Sequence, residues 1–376
     1  MTDLSQNLRL IYVEDEDEFR AGLVSSLESS FTLSPVDVGA FKVTKNGGEI
    51  GDQFINWLEK QTGGSKTIDG VILDSDLSGF QNGISKDMLL VAFRKLGIPV
   101  CRYSKQHRQT PGERLKQLAT LASEGALSVL VPSELTNGLT EDMDERQERL
   151  VGWLVSTFKG FAEIRALLEV QLRKEDQPRN AAELMAVILG RPEMELDLVG
   201  YVGPSLFFFG DTMGVEEGTD TQSLIARNLA TKLGYWFYNF VLAFPGPILN
   251  AAATSAFVGV NSKSLADDSL IKAFKAARYV GPFAGSGPYF YRDLIEQSMM
   301  EQGKTGQSII IDSGDGTVCA LYEDDPSQAG AYCVATDSSI RREDGTGPFD
   351  WIPPGANELC RIEKKTYNRL MPWLNV

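Results

Sequence analysis

The chain has 376 residues, 43% hydrophobic and 23% charged, which is ordinary globular composition and too long for one small core, so two or three domains are expected. A formal net charge of −15 excludes a general nucleic-acid binder, because phosphate contacts dominate that affinity and the bulk field opposes them. A single histidine (His107) excludes a histidine metal cage, and four scattered cysteines (Cys101, Cys319, Cys333, Cys360) with no C-x-x-C argue for reduced thiols in a cytoplasmic protein.

The N-terminus, MTDLSQNLRLIYVEDEDE, lacks a basic region followed by an apolar run and a cleavage site, so no secretory signal is expected. Residues 8–13 (LRLIYV) form an apolar strand pattern that stops at the acidic run Glu14-Asp15-Glu16-Asp17. Residues 17–29 place Phe19, Leu23 and Leu27 on one helical stripe. A second strand is expected over 34–41, then a helix over 52–61 with Phe54, Trp57 and Leu58 on one face. Residues 70–73 form the third strand, and VILDSDLSG carries it into a polar turn at Asp74. Met88, Leu89, Leu90 and Phe93 lie on a helix ending at Gly97, and 98–103 is the fourth strand. Pro111 opens a helix through Leu115, Leu118 and Leu121 to Gly125, and 126–131 is the fifth strand.

Five strands alternating with helices predict an α/β, doubly wound, five-stranded parallel sheet. In such a sheet the loops at the carboxyl ends of the strands gather into one crevice. The first strand ends in Glu14-Asp15, the third in Asp74 and the fourth in Ser104-Lys105, so three distant positions should converge. Clustered carboxylates repel one another unless a cation sits among them, and an oxygen-only ligand set favours Mg²⁺.

YVEDEDEF, VILDSDLSG and IPVCRYSK, in that order and spacing, resemble the receiver domain of bacterial response regulators over about residues 6–134. The resemblance implies that Asp74 accepts a phosphoryl group from a histidine kinase. It implies that Glu14 and Asp15 hold Mg²⁺ together with Asp74 and the backbone carbonyl of Asp76. It also implies that Ser104 closes on the phosphoryl oxygens. A carboxylate attacks phosphorus most readily when a metal clamps the incoming oxygens, and the added charge can draw a hydroxyl and its loop inward. The sequence departs from the family pattern at three places. Pro132 stands where a lysine usually pairs with the phosphate, Val129 or Leu130 replaces the aromatic of the fifth strand, and Ser78 replaces a proline. Lys105, beside Ser104, is the candidate to supply the missing cation.

A polar stretch over 132–144 leads to a long helix over 145–174, in which Leu150, Leu154, Phe158, Phe161, Ile164 and Leu168 recur at steps of three and four. The stripe fits a coiled-coil seam, and hence a homodimer, or a helix packed on its own core. The expected organisation is a receiver-like domain over 1–135, a connector helix over 136–176, and an α+β module over 177–376. That module begins with a mainly helical region. Residues 233–262 are uncharged, but Pro245-Gly246-Pro247 cuts them, so two buried core helices are expected and no membrane span. GPFAGSGP (281–288) lacks the preceding strand and GK[ST] of a phosphate loop, and a helix is expected over 289–302.

From residue 307 a C-terminal antiparallel β region is expected. IIIDSGDGTV resembles one phosphate-binding hairpin of actin-like ATPases, and it equally satisfies plain hairpin chemistry with an Asp-Gly turn. Cys319 and Cys333 would fill neighbouring strands. The leading functional expectation is a two-component signalling protein, phosphorylated on Asp74 with Mg²⁺ and controlling a C-terminal module that binds no DNA. A phosphate sink or adaptor without its own output is an alternative. A C-terminal enzyme using Asp312, Asp315 and Glu323 on a phosphorylated ligand is another.

Overall fold

The computed structural model describes residues 8–44, 47–64, 67–80, 83–104, 109–136, 143–173, 180–203, 219–266, 268–314 and 318–370. The chain divides into two compact units. The first comprises Met1–Arg108, Ala126–Arg179 and Phe208–Tyr235, and the second Gln109–Gly125, Asn180–Phe207 and Trp236–Val376.

The first unit is built on five strands: β1 (Arg9–Val13), β2 (Thr32–Leu33), β3 (Gly70–Asp74), β4 (Val100–Tyr103) and β5 (Val129–Leu130). They pair in parallel throughout, in the order β2-β1-β3-β4-β5. Alternation along the strands assigns two faces. Ile11, Val13, Val71, Leu73 and Val100 join one apolar core with Phe54 and Leu58 of helix Ile50–Thr62 and Leu89 and Phe93 of helix Lys86–Lys95. Leu10, Tyr12, Gly70, Ile72 and Cys101 point the other way, as the register pairs Leu10 with Gly70, Tyr12 with Ile72, and Ile72 with Cys101. Helix Met143–Gln171 lies against that second face, where a Cβ at Gly70 would fall 2.2 Å from the Phe158 ring. Leu150, Leu154, Phe158, Phe161, Ile164 and Leu168 are all buried within the chain. Thr157, which breaks the heptad, satisfies its hydroxyl on Trp153 O at 2.9 Å.

Two local differences from expectation have clear causes. The second strand spans only Thr32–Leu33, and residues 38–40 curl into a helical turn because the Asp37 carboxylate accepts from Gly39 N at 3.0 Å. The fifth strand has two residues, and the Tyr235 hydroxyl of helix Thr219–Trp236 accepts from Val100 N at 2.7 Å in place of a longer partner strand. That helix also donates from Thr231 Oγ1 to Gly97 O at 2.8 Å. Gly97 itself sits at φ +62°, with its missing Cβ 2.9 Å from Asn228 N, so only glycine fits there.

In the second unit, helix Pro111–Glu124 begins with a reciprocal cap between Thr110 and Glu113. Its Arg114 donates from Nε to Val334 O at 2.7 Å and from Nη2 to the Tyr332 hydroxyl at 3.0 Å. Strands β6 (Ile248–Asn250) and β7 (Tyr289–Tyr291) form an antiparallel pair. Strands β8 (Ala331–Cys333), β9 (Ser338–Ile340), β10 (Gly345–Thr346) and β11 (Cys360–Glu363) form a sheet ordered β10-β11-β8-β9. The expected antiparallel region is therefore a mixed sheet, because β11 runs parallel to β8.

The expected IIIDSGDG hairpin is corrected: residues 306–312 form helix Gly306–Asp312. Thr305 caps it by accepting from Ser308 N at 3.2 Å, and helical spacing buries Ile309 and Ile310 while leaving Ile311 exposed. Residues 289–302 split into β7 and helix Arg292–Gln302. The uncharged stretch 233–262 holds the end of helix 219–236, a wide turn over Phe237–Val241, β6 and helix Ala251–Phe257. Among the described residues no helix is long and apolar enough to cross a membrane.

All four cysteines are free thiols, with Cys101, Cys333 and Cys360 buried and Cys319 exposed. Cys333 is the small filler expected in β8, whereas Cys319 stands outside the strands. Burial pushes the Cys101 and Cys360 thiols up, away from the reactive thiolate. A thiol reagent should therefore titrate Cys319 alone in the native protein and the other three only after unfolding. Rapid native labelling of a second cysteine would contradict this packing.

Candidate functional site

The site is assembled at the carboxyl edge of the parallel sheet, where β1 and β3 lie side by side and the strand order reverses. Each strand arrives there for the same reason: a run of fully buried apolar residues ends at a carboxylate that must be turned toward a polar environment. β1 delivers Glu14 and Asp15, and β3 ends on Asp74. One carboxylate oxygen from each of these three residues lies within 4.8 Å of the others. Glu14 and Asp74 are buried, at 3% and 2% exposure, so their charges are not spread into bulk water.

Several donors of the fold are aimed at the cluster. Glu14 Oε1 accepts from Glu16 N at 2.9 Å. Asp15 Oδ2 accepts from Gly79 N at 2.6 Å, which fastens the turn after β3 to the end of β1. Asp74 Oδ1 accepts from Asp76 N at 3.2 Å, and the exposed Asp76 side chain accepts from Ser78 N at 3.0 Å. The DSDLSG turn is thus held by its own aspartates, each bonding the amide two residues on.

Asp74 pairs in register with Tyr103, the last residue of β4, so Ser104 follows at the same edge. The Tyr103 phenol donates to Glu14 Oε2 and lies 3.0 Å from the Tyr12 hydroxyl. Burial first, and then the Tyr12 hydroxyl and the Glu14 carboxylate, push the Tyr103 phenol far up, so it remains a proton donor. Val131 N extends the fifth strand by donating to Arg102 O at 2.8 Å, and Pro132 then leads into the short helix Ser133–Thr136. Lys105 and His107 lie outside the described residues.

The fold thus brings Glu14, Asp15 and Asp74 together and sets Ser104 and Asp76 on the adjoining loops. Sequence reasoning missed Tyr103 and Tyr12. The signal was present as strand alternation: Tyr12 and Glu14 share a face, as do Asp74 and its partner Tyr103. In the second unit, Asp312 pairs with Lys304 at 2.8 Å on the surface and Glu323 is exposed, while Asp315 lies outside the described residues. Among the described residues the Glu14–Asp15–Asp74 group is the one set of three or more ligating side chains close enough to share an ion.

The donor set suits a hard divalent cation. Only oxygen is offered, two of the three carboxylates are buried, and carboxylates so close together are best compensated by a charge of at least two. No protein-family model matches the chain, and neither a curated protein nor a solved structure matches it.

Proposed function

We propose that the first unit is a receiver-type phosphoacceptor. Asp74 takes a phosphoryl group from a histidine kinase in the presence of Mg²⁺, and its phosphorylation state controls the second unit. The observation that carries this reading is the convergence of Glu14, Asp15 and Asp74 at the carboxyl edge of a parallel sheet ordered β2-β1-β3-β4-β5. In the transfer an Asp74 oxygen attacks phosphorus, the P–O bond forms as the P–N bond of phosphohistidine breaks, and the imidazole nitrogen leaves with the electron pair.

Mg²⁺ held by Asp15, Asp74 and Glu14, with the backbone carbonyl of Asp76 as a further ligand, supplies charge neutralisation at the phosphoryl oxygens. The protein's own residues do the rest. Asp76 N donates to Asp74 Oδ1 and orients the nucleophile. Ser104 stands at the same edge, and Lys105 follows it in sequence as the candidate cation where Pro132 occupies the position of the family's lysine. Beyond these residues the chain passes at Gln109 into the second unit, whose helix 111–124 is fastened through Arg114.

Incubation with a small phosphodonor and Mg²⁺ is expected to add one acid-labile phosphate to the wild type and none to Asp74→Asn. Equal labelling of the two proteins would remove Asp74 from the mechanism. Amide exchange in helix 111–124 should change on phosphorylation. Labelling without any such change would favour a phosphate sink over a protein with its own output.

A further inference from the structure

Tyr103 has a place in the cluster that its neighbours define closely. It ends β4, faces Asp74 across the β3–β4 ladder, and reaches past it to the carboxylate at the end of β1. Its exposure is 2%, and that of Tyr12 is 6%, so the two phenols form a buried polar layer directly beneath the carboxylates. Their hydroxyls are 3.0 Å apart and their ring centroids 6.3 Å apart. Ile72 lies between Tyr12 and Cys101 on the same face of the sheet.

The consequence for Glu14 is a fixed carboxylate plane. One oxygen accepts from Glu16 N at 2.9 Å and the other from the Tyr103 phenol. A carboxylate with a donor on each oxygen is held in one orientation, and it does not have to reorganise when a cation arrives. Donors to ligating carboxylates typically change metal affinity by about 10–100-fold.

We propose that Tyr103, backed by Tyr12, is a positioning residue that holds Glu14 beside Asp74 and thereby sets the divalent-cation affinity of the cluster. This rests on the phosphoacceptor reading, because the cation it serves is the one that reading requires. The proposed role of Tyr103 is exerted through Glu14, to which its phenol donates.

The test is a Mg²⁺ titration of the full chain by calorimetry, comparing wild type with Tyr103→Phe, Tyr12→Phe and Asp15→Asn. Tyr103→Phe should bind about tenfold more weakly. Tyr12→Phe, which keeps the Tyr103–Glu14 bond and removes its backing, should show a smaller loss. Asp15→Asn should bind no Mg²⁺ in the same range. Tyrosine labelled at the ring carbon bearing oxygen gives a second readout without any catalytic step. The resonance that disappears in Tyr103→Phe should shift with Mg²⁺ in the wild type and stay still in Asp15→Asn. Should Tyr103→Phe fail to fold, the Tyr12→Phe titration carries the test.

Unchanged or tighter Mg²⁺ binding in Tyr103→Phe, with binding lost in Asp15→Asn, would overturn the role of Tyr103 alone. A Tyr103 resonance indifferent to Mg²⁺ in the wild type would do the same. Wild-type affinity in Asp15→Asn would instead overturn the cation reading, and the role of Tyr103 with it.

Discussion

Phe158→Ala is expected to destabilise the first unit by about 3–5 kcal/mol, seen as a lower urea midpoint with little change in slope. The ring is 1% exposed and meets Phe31 edge-on, with centroids 6.1 Å apart and an interplanar angle of 89°. Its position is set by an absence of side chain: a Cβ on Gly70 would lie 2.2 Å from one ring carbon and 2.4 Å from another. The ring and the glycine are complementary surfaces at the start of the strand whose other end is Asp74. Adding a methyl group by Gly70→Ala should therefore also destabilise, by about 1–3 kcal/mol through overpacking. The double variant should be less destabilised than the sum of the two, because the new methyl group occupies part of the space the ring vacates. Strict additivity would show that helix 143–171 does not rest on β3 through this contact.

Asp74→Asn is expected to have opposite effects on stability with and without magnesium. Unit charges about 4 Å apart near a protein surface repel by about 4 kcal/mol, and the backbone donors around the cluster offset part of this. The amide keeps an oxygen for Asp76 N and removes one of three crowded charges. In the presence of a chelator the variant should therefore be more stable than the wild type, by about 1–2 kcal/mol, a fraction of that repulsion. Saturating Mg²⁺ should reverse the order. Binding to the native state alone adds about 2.7 kcal/mol at a hundred times the dissociation constant, and the variant forfeits most of it. Two thermal melts of each protein decide the point. Curves that keep the same order in both conditions would deny that the cluster holds a cation through Asp74.

The first unit was largely legible because its central strands are short, mostly buried and followed by polar loops. Arg9–Val13, Gly70–Asp74 and Val100–Tyr103 each end where an apolar run meets a polar loop, and parallel strands buried on both faces carry that pattern. The edge strands were not legible. β2 and β5 have two residues each, below the length at which periodicity says anything, and their ladders are completed by loop amides and by Tyr235. The three isoleucines at 309–311 favour a strand by intrinsic preference, yet the Thr305 cap and the burial of Ile309 and Ile310 make them helical. Tertiary burial overrode local preference there.

The site was half legible. Carboxylates at strand ends are visible as residues, and their convergence follows from sheet order. The phenol layer under them is not visible until the register is known, because Tyr12 and Tyr103 are 91 residues apart and each alone reads as a core aromatic. Pro132 shows the limit from the other side. Its position after the fifth strand is where the resemblance calls for a cation, and the residue there provides none.

The central claim is that Asp74 itself carries the phosphoryl group, and chemical trapping locates it directly. The full chain is treated with a small phosphodonor and Mg²⁺, reduced with borohydride, digested and sequenced by mass spectrometry. An acyl phosphate is reduced to an alcohol, so the account predicts homoserine at position 74 in the peptide containing VILDSDLSG, and none when Mg²⁺ is withheld. Homoserine at another carboxylate, phosphate retained on His107, or no conversion anywhere in a folded, Mg²⁺-loaded protein would contradict it.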